Sequence, residues 1–140
     1  MRKYLVSISF SLLFVLVLPL HAQSIFPDSI GTKVKYDATI EMEKGYISGI
    51  CILSHENDGV KGCLFNEFGI SALDFTYFPD CNDVKLGEVI TVLDKWYIRK
   101  VLRKDLLQVM KNLQQGIGTY RDEKYKIDYK FSLLKDAAEE

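Results

Sequence analysis

The segment Lys33–Glu43 constrains the fold of this chain more than any other. Val34, Tyr36, Ala38, Ile40 and Met42 are apolar, and every odd position from Lys33 to Glu43 is charged or Thr. Successive side chains of a strand point to opposite faces, so this alternation puts one face in a core and the other in water. Lys44-Gly45 then turns the chain into a second predicted strand, Tyr46–Ser54, which is apolar on both faces. Glu56-Asn57-Asp58-Gly59 is a hairpin turn, because Asn, Asp and Gly tolerate positive φ. Val60–Phe68, Ile70–Phe78 and Val84–Leu93 read as three further strands, punctuated by Gly69 and the loop Pro79–Asp83.

At Asp94 the period changes from two to that of a helix. Asp94 is the expected N-cap of a helix reaching about Gln115, ended by Gly116 and Gly118. Its apolar stripe is Ile98, Val101, Leu102, Leu106, Val109, Met110 and Leu113, at the three- and four-residue spacing of one face. Arg99, Lys100, Arg103, Lys104 and Lys111 occupy the opposite face. A basic amphipathic helix can bind a membrane surface, but the sheet needs a cover and this is the only long helix, so core packing accounts for the stripe better. Lys124–Leu134 alternates again and is the last predicted strand. The expected fold class is α+β, a curved antiparallel β-sheet wrapped around one long helix.

The ends carry different information. Arg2 and Lys3 precede an uncharged, largely apolar run from Tyr4 to Leu18, then Pro19 and Leu20-His21-Ala22. This is the layout of a cleavable secretory signal peptide over 1–22, and the run is shorter than the ~20 residues that span a bilayer. Residues 23–32 read as a loosely held lead, 33–134 as a single sheet–helix domain, and 135–140 as a polar tail. A lipid-anchored exit would need Cys as the first mature residue, and the first Cys is Cys51. The expected product is periplasmic or secreted, without a lipid anchor or a transmembrane span.

The leader takes two of the 18 Lys and Arg and none of the 19 Asp and Glu, so the remainder is mildly acidic. It has no basic field to recruit nucleic acid or an anionic lipid surface. Three cysteines are too few for a disulfide scaffold and are not at zinc spacing, so neither a metal nor a cofactor is expected. Cys51 and Cys63 sit on strands joined by a tight hairpin, and register parity decides whether a disulfide between them is open. His55, next to Glu56 in the hairpin, reads as a solvated turn residue. Glu67 and Asp74 read as outward strand residues. No catalytic residue is assigned.

Large apolar side chains crowd the middle of the chain, either as dense core or as the lining of a cavity. The order of elements from Tyr36 to Gly116 resembles the periplasmic lipoprotein carrier and receptor superfamily, the Lol carriers. The features that carry the likeness are the amphipathic first strand and the Gly-containing strand Tyr46-Ile47-Ser48-Gly49-Ile50-Cys51-Ile52-Leu53. Leu64-Phe65-Asn66-Glu67-Phe68-Gly69, Leu73-Asp74-Phe75-Thr76-Tyr77 and the long helix after Trp96 complete it. The resemblance implies an incomplete half-barrel, shortened at its C-terminal end, that binds an acyl chain or an acylated lipoprotein without covalent chemistry. Ile50, Ile52, Leu64, Phe68, Leu73, Phe75 and Tyr77 would line its cavity, and Ile98, Leu102, Leu106, Val109 and Leu113 would form a helical lid. The alternative is an interaction module that pairs a partner protein of the cell envelope with an exposed sheet edge, offered by Lys124–Leu134.

Export makes a definite prediction. Intact mass of the protein from its native host should place the N-terminus at Gln23 or within a few residues of it, and retention of Met1 in a cytosolic fraction would overturn the leader.

Overall fold

The computed structural model describes residues 25–134, so the leader and the tail lie outside the described residues. Five strands form an antiparallel meander: β1 (Lys33–Met42), β2 (Gly45–Glu56), β3 (Gly59–Asn66), β4 (Ser71–Phe78) and β5 (Asp83–Val89). A 3-10 turn, Thr91–Leu93, leads into helix α1 (Trp96–Gln114), after which β6 (Thr119–Asp122) and β7 (Ile127–Leu133) return beside β1. The order across the sheet is β5-β4-β3-β2-β1-β7-β6. This seven-stranded antiparallel sheet curls into a half-barrel around α1, and the fold is α+β.

The alternation in β1 is realised as read: Tyr36, Ala38 and Ile40 are fully buried, with Val34 and Met42 packed at the margins. The same face carries Cys51 and Leu53 of β2, Leu64 of β3, Leu73, Phe75 and Tyr77 of β4, and Ile127, Tyr129 and Phe131 of β7. Against it lie Leu102, Leu106, Val109, Met110 and Leu113 of α1. Burying each such side chain is worth roughly 1.5–3 kcal/mol, and that apolar contact holds helix to sheet. Gly62 in β3 is a packing requirement. A Cβ there would lie 2.3 Å from the Phe75 ring, which rests across the glycine.

The helix ends as expected and starts differently. Gly116 takes the left-handed conformation (φ 84°), its N–H bonds the carbonyl of Leu113, and the N–H of Ile117 bonds that of Asn112. This paired closure is a Schellman motif. At the other end, Asp94 is not the N-cap. Lys95 holds that position without a side-chain cap, because the 3-10 turn ends the β5 connection and Asp94 instead pairs with Arg99 at 3.1 Å. The fifth strand therefore stops at Val89, short of Leu93.

Four further expectations are corrected. The expected last strand, Lys124–Leu134, is shortened to β7, an unexpected strand β6 (Thr119–Asp122) precedes it, and Lys126, at φ 56°, makes the turn between them. With β1 on one side and β6 on the other, β7 offers no open edge. The lead is tied in, since Phe26 is buried edge-on to Tyr77, Tyr36 donates to the Ile25 carbonyl and His55 Nδ1 lies 2.8 Å from that of Pro27. His55 is accordingly a half-buried staple and not a solvated turn residue.

The basic face of α1 is also structural in part. Arg103 donates to the Val84 carbonyl (2.8 Å) and forks onto both oxygens of Asp83 (2.9 and 3.1 Å), and Arg99 donates to the Gly87 carbonyl (3.0 Å). Both guanidiniums cap backbone groups of β5, an edge strand that would otherwise present free carbonyls. Among the described residues no helix is long and apolar enough to cross a membrane.

Thermal melts should separate these roles. Leu106→Asp sets an unpaired charge in the core and should cost several kcal/mol, enough to unfold a small domain. Arg103→Ala should lower the melting temperature by a few degrees, and Lys100→Ala should leave it unchanged.

Candidate functional site

The apolar stripe of α1 is buried unevenly. From Leu102 to Leu113 its inward residues are fully buried, whereas Ile98 and Val101 are half-buried and Trp96 and Tyr97 are exposed. Opposite this first part of the helix lie the end of β1 and the turn into β7. A cavity of about 240 Å³ results, lined by Met42, Tyr97, Ile98, Val101, Leu102, Tyr125 and Ile127. Only the two tyrosine hydroxyls are polar among those side chains. Tyr97 and Tyr125 are about half-exposed at its margin, and Trp96, 76% exposed, stacks edge-to-face on Tyr97 with centroids 5.7 Å apart.

A second depression lies on the other flank of the helix, against β4 and β5. This groove of about 920 Å³ is open and shallow, with Phe78, Leu86, Trp96 and Leu107 between Lys85, Arg99, Lys100, Arg103 and Lys104. Asp83 is the one acid in it, held below the usual carboxylate range by the hydrogen bonds from Arg103. Trp96 is common to both margins of the helix, so an aromatic and basic collar surrounds its N-terminal turn.

The residues expected to line a cavity divide into two sets. Leu64, Leu73, Phe75 and Tyr77 face the helix and are fully buried, so they are core. Ile50, 42% exposed, and Ile52 point to the convex face, because register pairs Tyr36 with Cys51 and sends both isoleucines outward. Phe68, 77% exposed, sits in the β3–β4 turn where Asn66 Oδ1 accepts from its N–H. None of these seven lines the apolar cavity. Of the helix residues expected as a lid, Leu106, Val109 and Leu113 are core, and Ile98 and Leu102 do line it.

One functional pair escapes the periodicity argument. Asp105 lies inside the buried stripe, three residues after Leu102 and four before Val109, and it is fully buried. Tyr129 of β7 donates to its Oδ2 at 2.8 Å, while Oδ1 meets no fixed donor. The carboxyl of Asp122, buried on β6, is hydrogen-bonded to it. Two carboxylates cannot bond without a proton between them, so one oxygen must carry it. Burial pushes Asp105 up to about 7, the Asp122 contact adds to the rise, and Tyr129 and Lys104 oppose it. Asp122 moves the other way. Burial resists its ionisation, but the bond from Asp105 and the N–H groups of Tyr125 and Lys124 outweigh it and hold it below its usual value. The two carboxyls therefore share one proton, and the deeper burial of Asp105 favours holding it there.

The cysteines settle by parity. Ile52 faces Cys63 and Cys51 faces Leu64 across the β2–β3 ladder, so Cys51 points into the core and Cys63 outward. All three cysteines are free, and the disulfide left open above does not form. Cys63 donates to Asp74 Oδ1 at 3.1 Å, and Ser71 donates to the same oxygen. Burial and the neighbouring carboxylate push this thiol up, the reverse of what a thiolate nucleophile needs. Glu67 lies exposed in the turn and forms no pair with Asp74.

No family model, no curated protein and no solved structure matches the chain. Thiol titration under denaturing, non-reducing conditions should count three thiols. In the native protein Cys81, which is exposed, should react quickly and Cys51, which is buried, should not.

Proposed function

We propose that the protein is a non-enzymatic exported domain that binds an acyl chain, free or as the anchor of a lipoprotein, between its helix and its sheet, in the manner of the Lol carriers it resembles. The observation that carries the reading is the cavity of about 240 Å³ beside the first turns of α1, with walls from α1, β1 and β7. It is smaller than the ~300–1,000 Å³ of a typical small-molecule cleft. It thus holds one stretch of an acyl chain, with the rest of the ligand outside it. The collar of Trp96, Tyr97, Arg99 and Lys100 suits the other end of such a ligand, since aromatic rings sit at apolar–water boundaries and cations meet anionic headgroups.

This reading moves the binding place away from the centre of the sheet. Leu106, Val109 and Leu113 fill the concave face there, so the first turns of the helix take the part of the lid. A partner strand on the sheet edge is the weaker alternative. The carbonyls of Val84 and Gly87 on β5 already bind Arg103 and Arg99, and β6 is only four residues long.

Mass spectrometry of organic extracts from the protein purified out of its native envelope should find acyl species. A dansyl-labelled fatty acid should bind the delipidated protein, and Val101→Trp, which fills the cavity from the helix side, should weaken that binding at least tenfold while leaving the melting temperature nearly unchanged. Protein free of lipid and indifferent to the fatty acid would overturn the proposal.

A further inference from the structure

Two walls of the apolar cavity are α1 and the β6–β7 hairpin, and the carboxyl pair ties these same two walls together. Asp105 sits one turn after Val101 on the helix. Asp122 precedes Tyr125 by three residues, and its Oδ1 accepts from the Tyr125 N–H at 3.0 Å. Val101 and Tyr125 both line the cavity. The pair therefore adjoins residues that line the cavity.

We propose that a single proton shared by Asp105 and Asp122 latches α1 to the β6–β7 hairpin, and that loss of this proton loosens the seam and opens the cavity beside it. The latch rests on the two buried carboxyls and on the Tyr129 bond from sheet to helix; its effect on the cavity rests on the acyl-binding reading above. The groups that face Asp105 are Lys104 from its own helix, Tyr120 and Asp122 from β6, and Tyr129 from β7.

With the proton in place the polar groups of the seam link into one chain. Tyr129 donates to Asp105, Asp105 donates to Asp122, and backbone N–H groups of the turn complete Asp122. One negative charge remains, with Lys104 nearby. Without the proton, two carboxylates face one another in a buried seam, and Oδ1 of Asp105, which meets no donor, shares an uncompensated charge. Separation of the two walls, or entry of water between them, relieves both penalties.

The sign follows from where the proton is held more tightly. Asp105 is raised in the folded chain to about 7 from an ordinary 3.8. The stability it lends is complete below the ordinary value, declines between the two, and is lost once pH has passed about 7. Asp122 is lowered, so its contribution fades only in acid. In the neutral range Asp105 sets the slope.

The test combines melting and binding in the purified protein at about pH 5.5 and about pH 8.5, on either side of the Asp105 transition. The probe is the uncharged fluorophore N-phenylnaphthylamine, which has no titration of its own in that range. The wild type should lose about 5 °C or more on going to the higher pH, and its probe binding should rise several-fold. Asp105→Asn keeps an acceptor for Tyr129 and a donor for Asp122 at every pH, so its melting temperature and its low probe binding should both stay flat. Asp122→Asn gives Asp105 a fixed donor, and it too should be flat over the interval. A flat wild type, or an Asp105→Asn variant with the wild-type slope, would overturn the latch. A normal slope with equal probe binding at both pH values would overturn the opening while the cavity stands. A normal slope with no probe bound at any pH would remove the cavity and its opening, and would support the latch alone.

Discussion

The apolar stripe of α1 against the concave face of the sheet is the contact on which the rest depends. A sheet with one wet face and one apolar face must be covered, and among the described residues a single helix does it. Leu102, Leu106, Val109, Met110 and Leu113 enter the hollow between Tyr36, Ile40, Leu53, Leu64 and Phe75. That insertion also fixes the topology. The chain leaves β5 at one edge, crosses the hollow as α1, and can resume pairing only at the far side, where β6 and β7 extend the sheet past β1. The curl is what lets both edges approach the same helix.

Much of this was legible in the residues, because period is a direct image of burial. The alternation in Lys33–Met42 and in Ile127–Leu133 and the helical spacing from Ile98 to Leu113 each named the face that is now inside. What escaped was information that period does not carry. Strand β2 is apolar on both faces, so nothing in its pattern said that Ile50 and Ile52 face outward; the pairing of Tyr36 with Cys51 decides it. The same parity separates Cys51 from Cys63. Strand β6 is four residues of mixed polarity between turns, too short for any period to show. Ile90, Thr91 and Val92 look like the end of a strand by composition, yet the chain coils there because the connection to α1 must begin.

The polar exceptions follow one rule, that a group which breaks the pattern is held by a specific partner. Asp105 interrupts an otherwise apolar stripe, and the signal that could have exposed it was its spacing from Leu102 and Val109. Arg99 and Arg103 belong by pattern to the wet face of the helix, yet each reaches a backbone carbonyl of β5. Charge patterning alone gives solvent as the default for such residues. The edge strand beside them changes that default, since unpaired carbonyls are strong acceptors that a guanidinium satisfies without a second strand.

The division of the helix into a deeply buried part and a lightly packed part bears on how such a fold can bind anything. From Leu106 onward each inward residue is enclosed, and moving it would expose core surface at roughly 25 cal/mol per Å². From Trp96 to Val101 little surface is committed, with Trp96 and Tyr97 exposed and Ile98 and Val101 only half-buried. Local opening takes the cheapest route, so displacement of the first turns costs least and displacement of the rest costs most. Asp105 stands at the boundary between these parts, opposite the β6–β7 hairpin. A hydrogen bond there restrains the light part without stiffening the heavy part, which is already held by packing. Moving the helix as one rigid lid would forfeit the core contact that defines the fold. Displacement confined to the first turns, as far as the carboxyl pair at mid-helix, leaves that contact intact.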